Sequence, residues 1–259
     1  MTPLNNIIHY EDFKYKESHE LRGFLKSREI RELQEKVNRD MILVLWGDGT
    51  MLSAVKKYHG TWLPLLGINF WHKGFLLNER SVVSEDEFVE KSYPLLECSL
   101  KVWESEVEKF IALNEIDIRA AEWNVITLDI NLSQRNTIHL AGDGALIATP
   151  AWSTAYNQSL GWPIIPHNIP AFIITPKAPW KPRGQSPILI SQDEVLRIKN
   201  IERKNKLNIY GDGKEILWNT EQDIELVIQK AQEWVIFLVG KNYEKSWDNK
   251  VMQEQGFTS

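Results

Sequence analysis

The hexapeptide MILVLW (41–46) runs directly into Gly-Asp-Gly-Thr (47–50) and then into the helix-compatible MLSAVKKYH (51–59). An unbroken apolar run of this length suits a strand buried on both faces, and such strands belong to sheets covered by helices. Glycines at its end allow a tight turn and close approach of the backbone to a ligand. The helix that follows brings unsatisfied N–H groups and positive dipole potential to the same point. Strand, tight turn, helix is the predicted order, with a place for phosphate at the strand's C-terminal end. Gly-Asp-Gly is also a common surface turn, so this segment alone leaves both readings open. It matches neither a Walker A loop nor the dinucleotide fingerprint.

The surrounding pattern extends the α/β reading. HELRGFLKSREIRELQEKV (19–37) carries apolar residues at helical intervals and predicts one amphipathic helix. LPLLGINF (63–70) reads as a second buried strand, and Ser84 with Glu87 resembles a capping box opening a helix to about Leu96. After Cys98 the character changes. FIALNEIDIR, NVITLDINL, TIHLAG and ALIATP follow in quick succession, then AFIIT, PILI, VLRIK, LNIYG, IELVI and VIFLV, all rich in β-formers. The predicted organisation is an α/β portion over 1–98, a mostly β portion over 99–240, and a segment 241–259 that is either a tail or a helix packed back.

Composition narrows the partners. A net charge of −5 argues against broad electrostatic binding to nucleic acid or anionic membrane. Cys98 is the single cysteine, which excludes an intrachain disulfide and a cysteine-only zinc site. No apolar run reaches spanning length and the start carries no secretion-signal pattern, so a cytoplasmic protein is expected.

Four separated motifs then agree in order. LWGDGTML (45–52), LLGINFWHKGFL (65–76), ALNEIDIR (112–119) and GDGALIATPAWSTAYNQSLGWPIIP (142–166) together resemble the NAD kinase family over roughly residues 40–240. The resemblance implies an α/β nucleotide (ATP)-binding domain, shortened at its start, followed by a β-rich NAD-binding domain, with catalysis in the cleft between them. It implies phosphate transfer from ATP to the adenosine-ribose 2′-hydroxyl of NAD, giving NADP, with Mg²⁺ or another divalent cation. Polyphosphate is an alternative donor.

By the same resemblance Asp48 is the catalytic base, and Gly47, Gly49 and Thr50 form the phosphate turn. Asn69, Gly74 and Phe75 match the second motif. Asn114 and Glu115 bond the NAD ribose. Asp143, Gly144, Thr154, Ala155, Tyr156 and Ser159 line the NAD site, and the metal ligands are left unassigned. GDGK (211–214) matches a later Asp-Gly-Gln segment, with Lys214 in place of glutamine. The family implies a homodimer or homotetramer. Lys177, Lys181 and Arg183, by contrast, read as a solvated proline-rich loop, and Cys98 as a small buried hydrophobe. Two rivals stay open: an inactive NAD(P)-binding relative, and a lipid or sugar kinase sharing the Gly-Asp-Gly turn.

Tryptophan is the anomaly. Eleven tryptophans stand beside fourteen glycines, and Trp46, Trp71, Trp152 and Trp162 each fall where the family pattern has glycine. Left-handed dihedrals cost a non-glycine residue roughly 1–2 kcal/mol, and added bulk in a packed site costs about 1–3 kcal/mol. Independent drift scatters residue types, whereas here one change recurs while the polar motif residues stay. A single cause fits: a gene that uses UGA for glycine, written out with UGA as tryptophan. Trp123 and Trp218 resemble turn glycines in the same way.

Overall fold

The computed structural model describes residues 7–9, 18–71, 74–122, 124–133, 137–152, 160, 164–166, 168–201, 206–220, 223–254 and 256. The chain forms two compact units, residues 1–93 with 233–259, and residues 94–232. The first unit therefore takes in the C-terminal segment, where the sequence had suggested cuts near 98 and 240.

In the first unit, β1 (Ile7–His9), β2 (Met41–Trp46) and β3 (Leu65–Asn69) pair in parallel, and Phe237 of β15 (Ile224–Gly240) pairs in parallel with Leu65. β2 is buried along nearly its whole length, as its continuous apolar run predicts. Helices α1 (His19–Leu25) and α2 (Arg28–Val37) replace the single predicted helix. The chain turns at Lys26 and extends at Ser27, so that Leu21 and Phe24 of one helix and Ile30 and Leu33 of the other enter one core. That core also holds Met41, Leu43, Leu45, Leu66, Ile68 and Leu238. Helix α3 (Asp48–Tyr58) begins directly after β2, and α4 (Tyr243–Glu254) closes the chain with Tyr243 and Trp247 buried.

The helix expected from Ser84 to Leu96 is absent. A 3-10 turn at Arg80–Ser84 is followed by β4 (Phe88–Val102). Pro94 disfavours a helix interior, and Leu96, Cys98 and Leu100 are buried alternately with Glu97, Ser99 and Lys101, which is a strand's period.

In the second unit, β12 (Leu196–Asn200), β7 (Ile126–Leu132) and β8 (Thr137–Gly142) run antiparallel beside the first part of β15. The second part of β4 pairs with β5 (Ser105–Ala112). A second antiparallel sheet has the order β11 (Ile188–Ser191), β10 (Ala171–Lys177), β9 (Gly144–Ala148), β6 (Glu115–Ala120), β13 (Leu207–Gly211), β14 (Lys214–Thr220). One core draws on both sheets, including Leu96, Ile118, Ile130, Ile147, Phe172 and Ile209. The class is α/β followed by mostly β, as expected. Among the described residues no helix is long and apolar enough to cross a membrane.

Candidate functional site

Gly47 is extended (φ −153°, ψ −177°) and caps α3, and the N–H groups of Thr50 and Met51 return to its carbonyl at 3.0 and 3.2 Å. The first helical turn therefore begins at the strand's end, as the sequence requires for a phosphate turn. A side chain on Gly49 would meet nothing within 4 Å, so the space above the turn is open there. Thr50 is buried.

Asp48, the first helical residue, turns its carboxylate toward the second motif. Oδ2 accepts from the Phe75 N–H at 2.9 Å and Oδ1 from the Leu76 N–H at 3.0 Å. Gly74 fits closely here: a β-carbon would come within 3.2 Å of the Asn69 amide and 3.3 Å of Asp48 Oδ1, so either side chain would have to shift by a few tenths of an ångström. Asn69 is buried, and its Oδ1 accepts from the Trp71 N–H at 3.0 Å. The structure thus gathers Gly47, Asp48, Gly49, Thr50, Asn69, Gly74 and Phe75 in one place. Burial pushes the Asp48 carboxyl above its usual value, opposed by the Phe75 and Leu76 amides and by the Lys250 charge. A carboxyl whose protonation is set by burial against two amides and a cation has the character of a proton-transfer group.

The tryptophans sit at the same turn. Trp46 has φ +129°, a region that side chains rarely occupy and glycine enters freely. Its indole lies 5.4 Å from that of Trp71, and Trp71 Cβ is 3.4 Å from where a Gly47 side chain would start. Trp103 (φ +51°) and Glu104 (φ +68°) form the β4–β5 hairpin turn, where both positions call for left-handed residues. Trp62, Trp71, Trp103, Trp180 and Trp234 are all exposed, contrary to the usual burial of this side chain. Trp152 ends a 3-10 turn, while Trp162, Thr154, Ala155, Tyr156 and Ser159 lie outside the described residues.

The second unit places the Asn-Glu pair between β5 and β6. Asn114 is fully buried, yet neither end of its side-chain amide has a hydrogen-bond partner among the described residues. An unpaired buried amide costs about 1–3 kcal/mol, and a ligand is one reason to keep it. Its backbone is pinned. Asp212 accepts from the N–H groups of Asn114 at 2.8 Å and Leu113 at 3.2 Å, and Thr149 N donates to the Asn114 carbonyl at 2.9 Å.

Asp212 belongs to the GDGK segment, which is the β13–β14 hairpin turn, with left-handed Asp212 (φ +49°) and Gly213 (φ +69°). The segment thus supports the Asn-Glu turn through Asp212, a role that its resemblance to Asp-Gly-Gln did not reveal. Glu115 is buried at the start of β6. Asp143 is exposed, with its backbone bonded to Ala120 and Lys177. Gly144 (φ +143°) opens β9, and a β-carbon there would stand 1.9 Å from the Ile118 carbonyl oxygen, so this position serves the β6–β9 pairing.

Lys177 corrects an expectation. It is buried in β10, with Nζ 2.9 Å from Asp117 Oδ1, while Arg119 Nε reaches Asp117 Oδ2 at 2.6 Å. Its sequence neighbourhood looked like a loop, but the buried carboxylate draws it into the strand. Lys181 and Arg183 are exposed, as expected.

Comparison with known proteins decides the family. The ATP-NAD kinase N-terminal domain matches residues 5–88 and the ATP-NAD kinase C-terminal domain matches residues 113–249. The chain belongs to the ATP-NAD kinase family. An NAD kinase of Brucella suis is 30% identical over 223 residues, covering 83% of this chain and 84% of its own length. That of Carboxydothermus hydrogenoformans is 30% identical, covering 89% of this chain and 85% of its own length. That of Methanoregula boonei is 32% identical, covering 83% and 80%.

Two solved structures share the fold. Yeast NADH kinase complexed with NADH has a TM-score of 0.72 at 24% identity, covering 88% of this chain and 69% of that one. An Archaeoglobus fulgidus NAD kinase in complex with ATP has a TM-score of 0.68 at 22% identity, covering 95% and 97%. This ATP-NAD kinase is a phosphotransferase with an alcohol group as acceptor. Sequence reasoning missed two residues that reach the segment carrying Asp48's amide partners, Tyr243 and Lys250. Tyr243 Oη donates to the Phe75 carbonyl at 2.8 Å, and Lys250 Nζ to the Gly74 carbonyl at 2.5 Å. No local pattern announces contacts made across so much chain.

Proposed function

We propose that the kinase moves the terminal phosphoryl group of Mg–ATP to the adenosine-ribose 2′-hydroxyl of NAD, with Asp48 as the proton acceptor. The observation carrying this role is the buried Asp48 carboxylate at the start of α3, fixed by two backbone amides. An ordinary carboxylate, with pKa near ~4, does not deprotonate a free alcohol outright. Asp48 takes the proton as the new P–O bond forms, while positioning and charge neutralisation supply most of the rate.

Gly47, Gly49 and Thr50 present the helix N-terminus to phosphate oxygens. Asn69, Gly74 and Phe75 shape the nucleotide side of the turn. Asn114 and Glu115 hold the NAD ribose, with the buried Asn114 amide available for its hydroxyls. Asp143 and Gly144, with Thr154, Ala155, Tyr156 and Ser159, complete the NAD site. Mg²⁺ enters as part of the substrate, bound to the triphosphate. Among the described residues no three His, Cys, Asp or Glu side chains gather as a cation cage. The protein works in the cytoplasm as a homo-oligomer.

A second reading rests on a specific observation. With Trp46 and Trp71 side by side at the turn, the chain with these indoles keeps NAD binding and loses access for the triphosphate. One inference reconciles the two: positions 46, 71, 152 and 162 are glycine in the protein as the cell makes it, through a UGA codon. The φ of +129° at position 46 is the main support. UGG codons at these four positions would remove it.

The functional test compares the chain with Asp48→Asn for ATP-dependent NADP formation, and uses calorimetry for NAD binding. NADP formation lost in Asp48→Asn with NAD binding kept supports the assignment. NAD binding without any NADP formation in either supports the second reading. Activity on lipid or sugar acceptors but not NAD contradicts both.

A further inference from the structure

The Asp48 carboxylate rests on two consecutive peptide units. The Phe75 N–H belongs to the same peptide as the Gly74 carbonyl, and the Leu76 N–H to the same peptide as the Phe75 carbonyl. Helix α4 holds both from the opposite side: Lys250 Nζ on the Gly74 carbonyl at 2.5 Å and Tyr243 Oη on the Phe75 carbonyl at 2.8 Å. Each peptide is therefore a link in a chain of hydrogen bonds running from α4 through the backbone to one carboxylate oxygen.

We infer that Lys250 and Tyr243 are positioning residues that hold these two peptide units, and through them the Asp48 carboxylate, in the reacting geometry. The inference rests on the role proposed above for Asp48. Hydrogen bonds linked in this way polarise one another, so that a donor on the carbonyl strengthens the N–H beyond it. Lys250 adds its charge. Its side chain is only 15% exposed, and Nζ is also 2.5 Å from Glu79 Oε1. Glu79 anchors the ammonium beside the loop.

Among the described residues, the charged and titratable groups facing Asp48 and its supports lie on α4 and on the segments packed against it, including Lys91 over the Tyr243 ring at 5.5 Å. α4 contributes Lys250 and Tyr243, and Glu79 faces Lys250. Tyr93 stands behind Tyr243, the two hydroxyl oxygens 3.3 Å apart. His72 and Lys73 lie outside the described residues. Burial drives the Tyr93 hydroxyl up to about 12 and that of Tyr243 well above its usual value, so both remain protonated donors at working pH. The Lys250 charge favours the ionised form of Asp48. Removing it makes Asp48 a base only at higher pH.

The test follows the Asp48 carboxyl carbon by NMR across pH in the unmodified chain, Lys250→Met, Lys250→Arg and Tyr243→Phe, with Asp48→Asn identifying the signal. Lys250→Met is expected to raise the midpoint by roughly 0.5–1 pH unit, equivalent to about a 3–10-fold loss of ionised Asp48 below it. Tyr243→Phe moves it less and in the same direction, and Lys250→Arg leaves it near the unmodified value. Where NADP formation is measurable, the acid limb of kcat/KM moves with the midpoint. A midpoint unmoved in folded Lys250→Met and Tyr243→Phe overturns the inference. If Lys250→Met does not fold, Tyr243→Phe decides it. Titrations that shift as expected, with equal NADP formation by the glycine-substituted chain and its Asp48→Asn form, would contradict the role of Asp48 and leave the positioning intact.

Discussion

Alanine at position 46 should be less stable than glycine there, reversing the ordinary order. Both Trp46→Ala and Trp46→Gly remove the same half-buried indole and its contact with Trp71. Those losses cancel in the comparison. What remains is the backbone at φ +129°. Holding a residue with a β-carbon in such a region costs of order 1–3 kcal/mol. At an unstrained site glycine is the less stable of the two, by about 0.4–1 kcal/mol, because its unfolded chain is freer. Taking the midpoints, the expected net advantage of glycine is about 1 kcal/mol, or roughly 2–4 °C in melting temperature for a protein of this size. Urea titrations of the two variants at equal slope measure it directly. Alanine equal to or more stable than glycine would refute the claim that this position is built for glycine.

Three other outcomes follow from the geometry. Asp212→Ala strips the carboxylate from the Leu113 and Asn114 amides and should lower stability by about 1–3 kcal/mol while weakening NAD binding, read by denaturation and calorimetry. Cys98 is buried and its thiol is pushed far up, chiefly by desolvation, so the folded chain should not react with a thiol reagent that labels it after unfolding. Asp48 carries a raised carboxyl, so its contribution to stability is present below the unfolded value and lost as pH rises through the folded one. The stability of Asp48→Asn relative to the unmodified chain should therefore improve as pH rises from about 4, the ordinary carboxylate value, and denaturation at a lower and a higher pH checks the sign.

The sequence was most legible where one local signal dominated. MILVLW before Gly-Asp-Gly-Thr became β2 and α3, because buried-strand length and a glycine turn leave few alternatives. LNIYG matched β13 and TIHLAG matched β8, each ending at a Gly-Asp-Gly turn. The expected helix after Ser84 shows a local signal losing: a capping pattern was present, but Pro94 and the alternation through Leu100 favoured a strand. Two predicted strands, IELVI and VIFLV, proved to be one long strand, β15, which continues through the residues between them.

At the site, residues within one motif were legible and their supports were not. The bonds from Phe75 and Leu76 to Asp48 join two motifs that stand apart in the sequence. Lys250, 176 residues from the carbonyl it holds, left no trace in spacing, because a long-range side-chain contact has no periodicity to detect. Asp212 was visible only as a turn, and its second role depends on the sheet bringing Leu113 and Asn114 beside it. Lys177 misled for a related reason, since its buried partner Asp117 lies on another strand.

The central claim is that Asp48 serves phosphoryl transfer to NAD at a turn meant to carry glycine. The most direct measurement is the rate of NADP formation from NAD and Mg–ATP by the chain with glycine at 46, 71, 152 and 162, and by the same chain with Asp48→Asn. The account predicts steady NADP formation in the first and a loss of at least about a hundredfold in the second, the range of a removed acid–base group. Equal rates in the two proteins, or no NADP from the glycine chain, would contradict it.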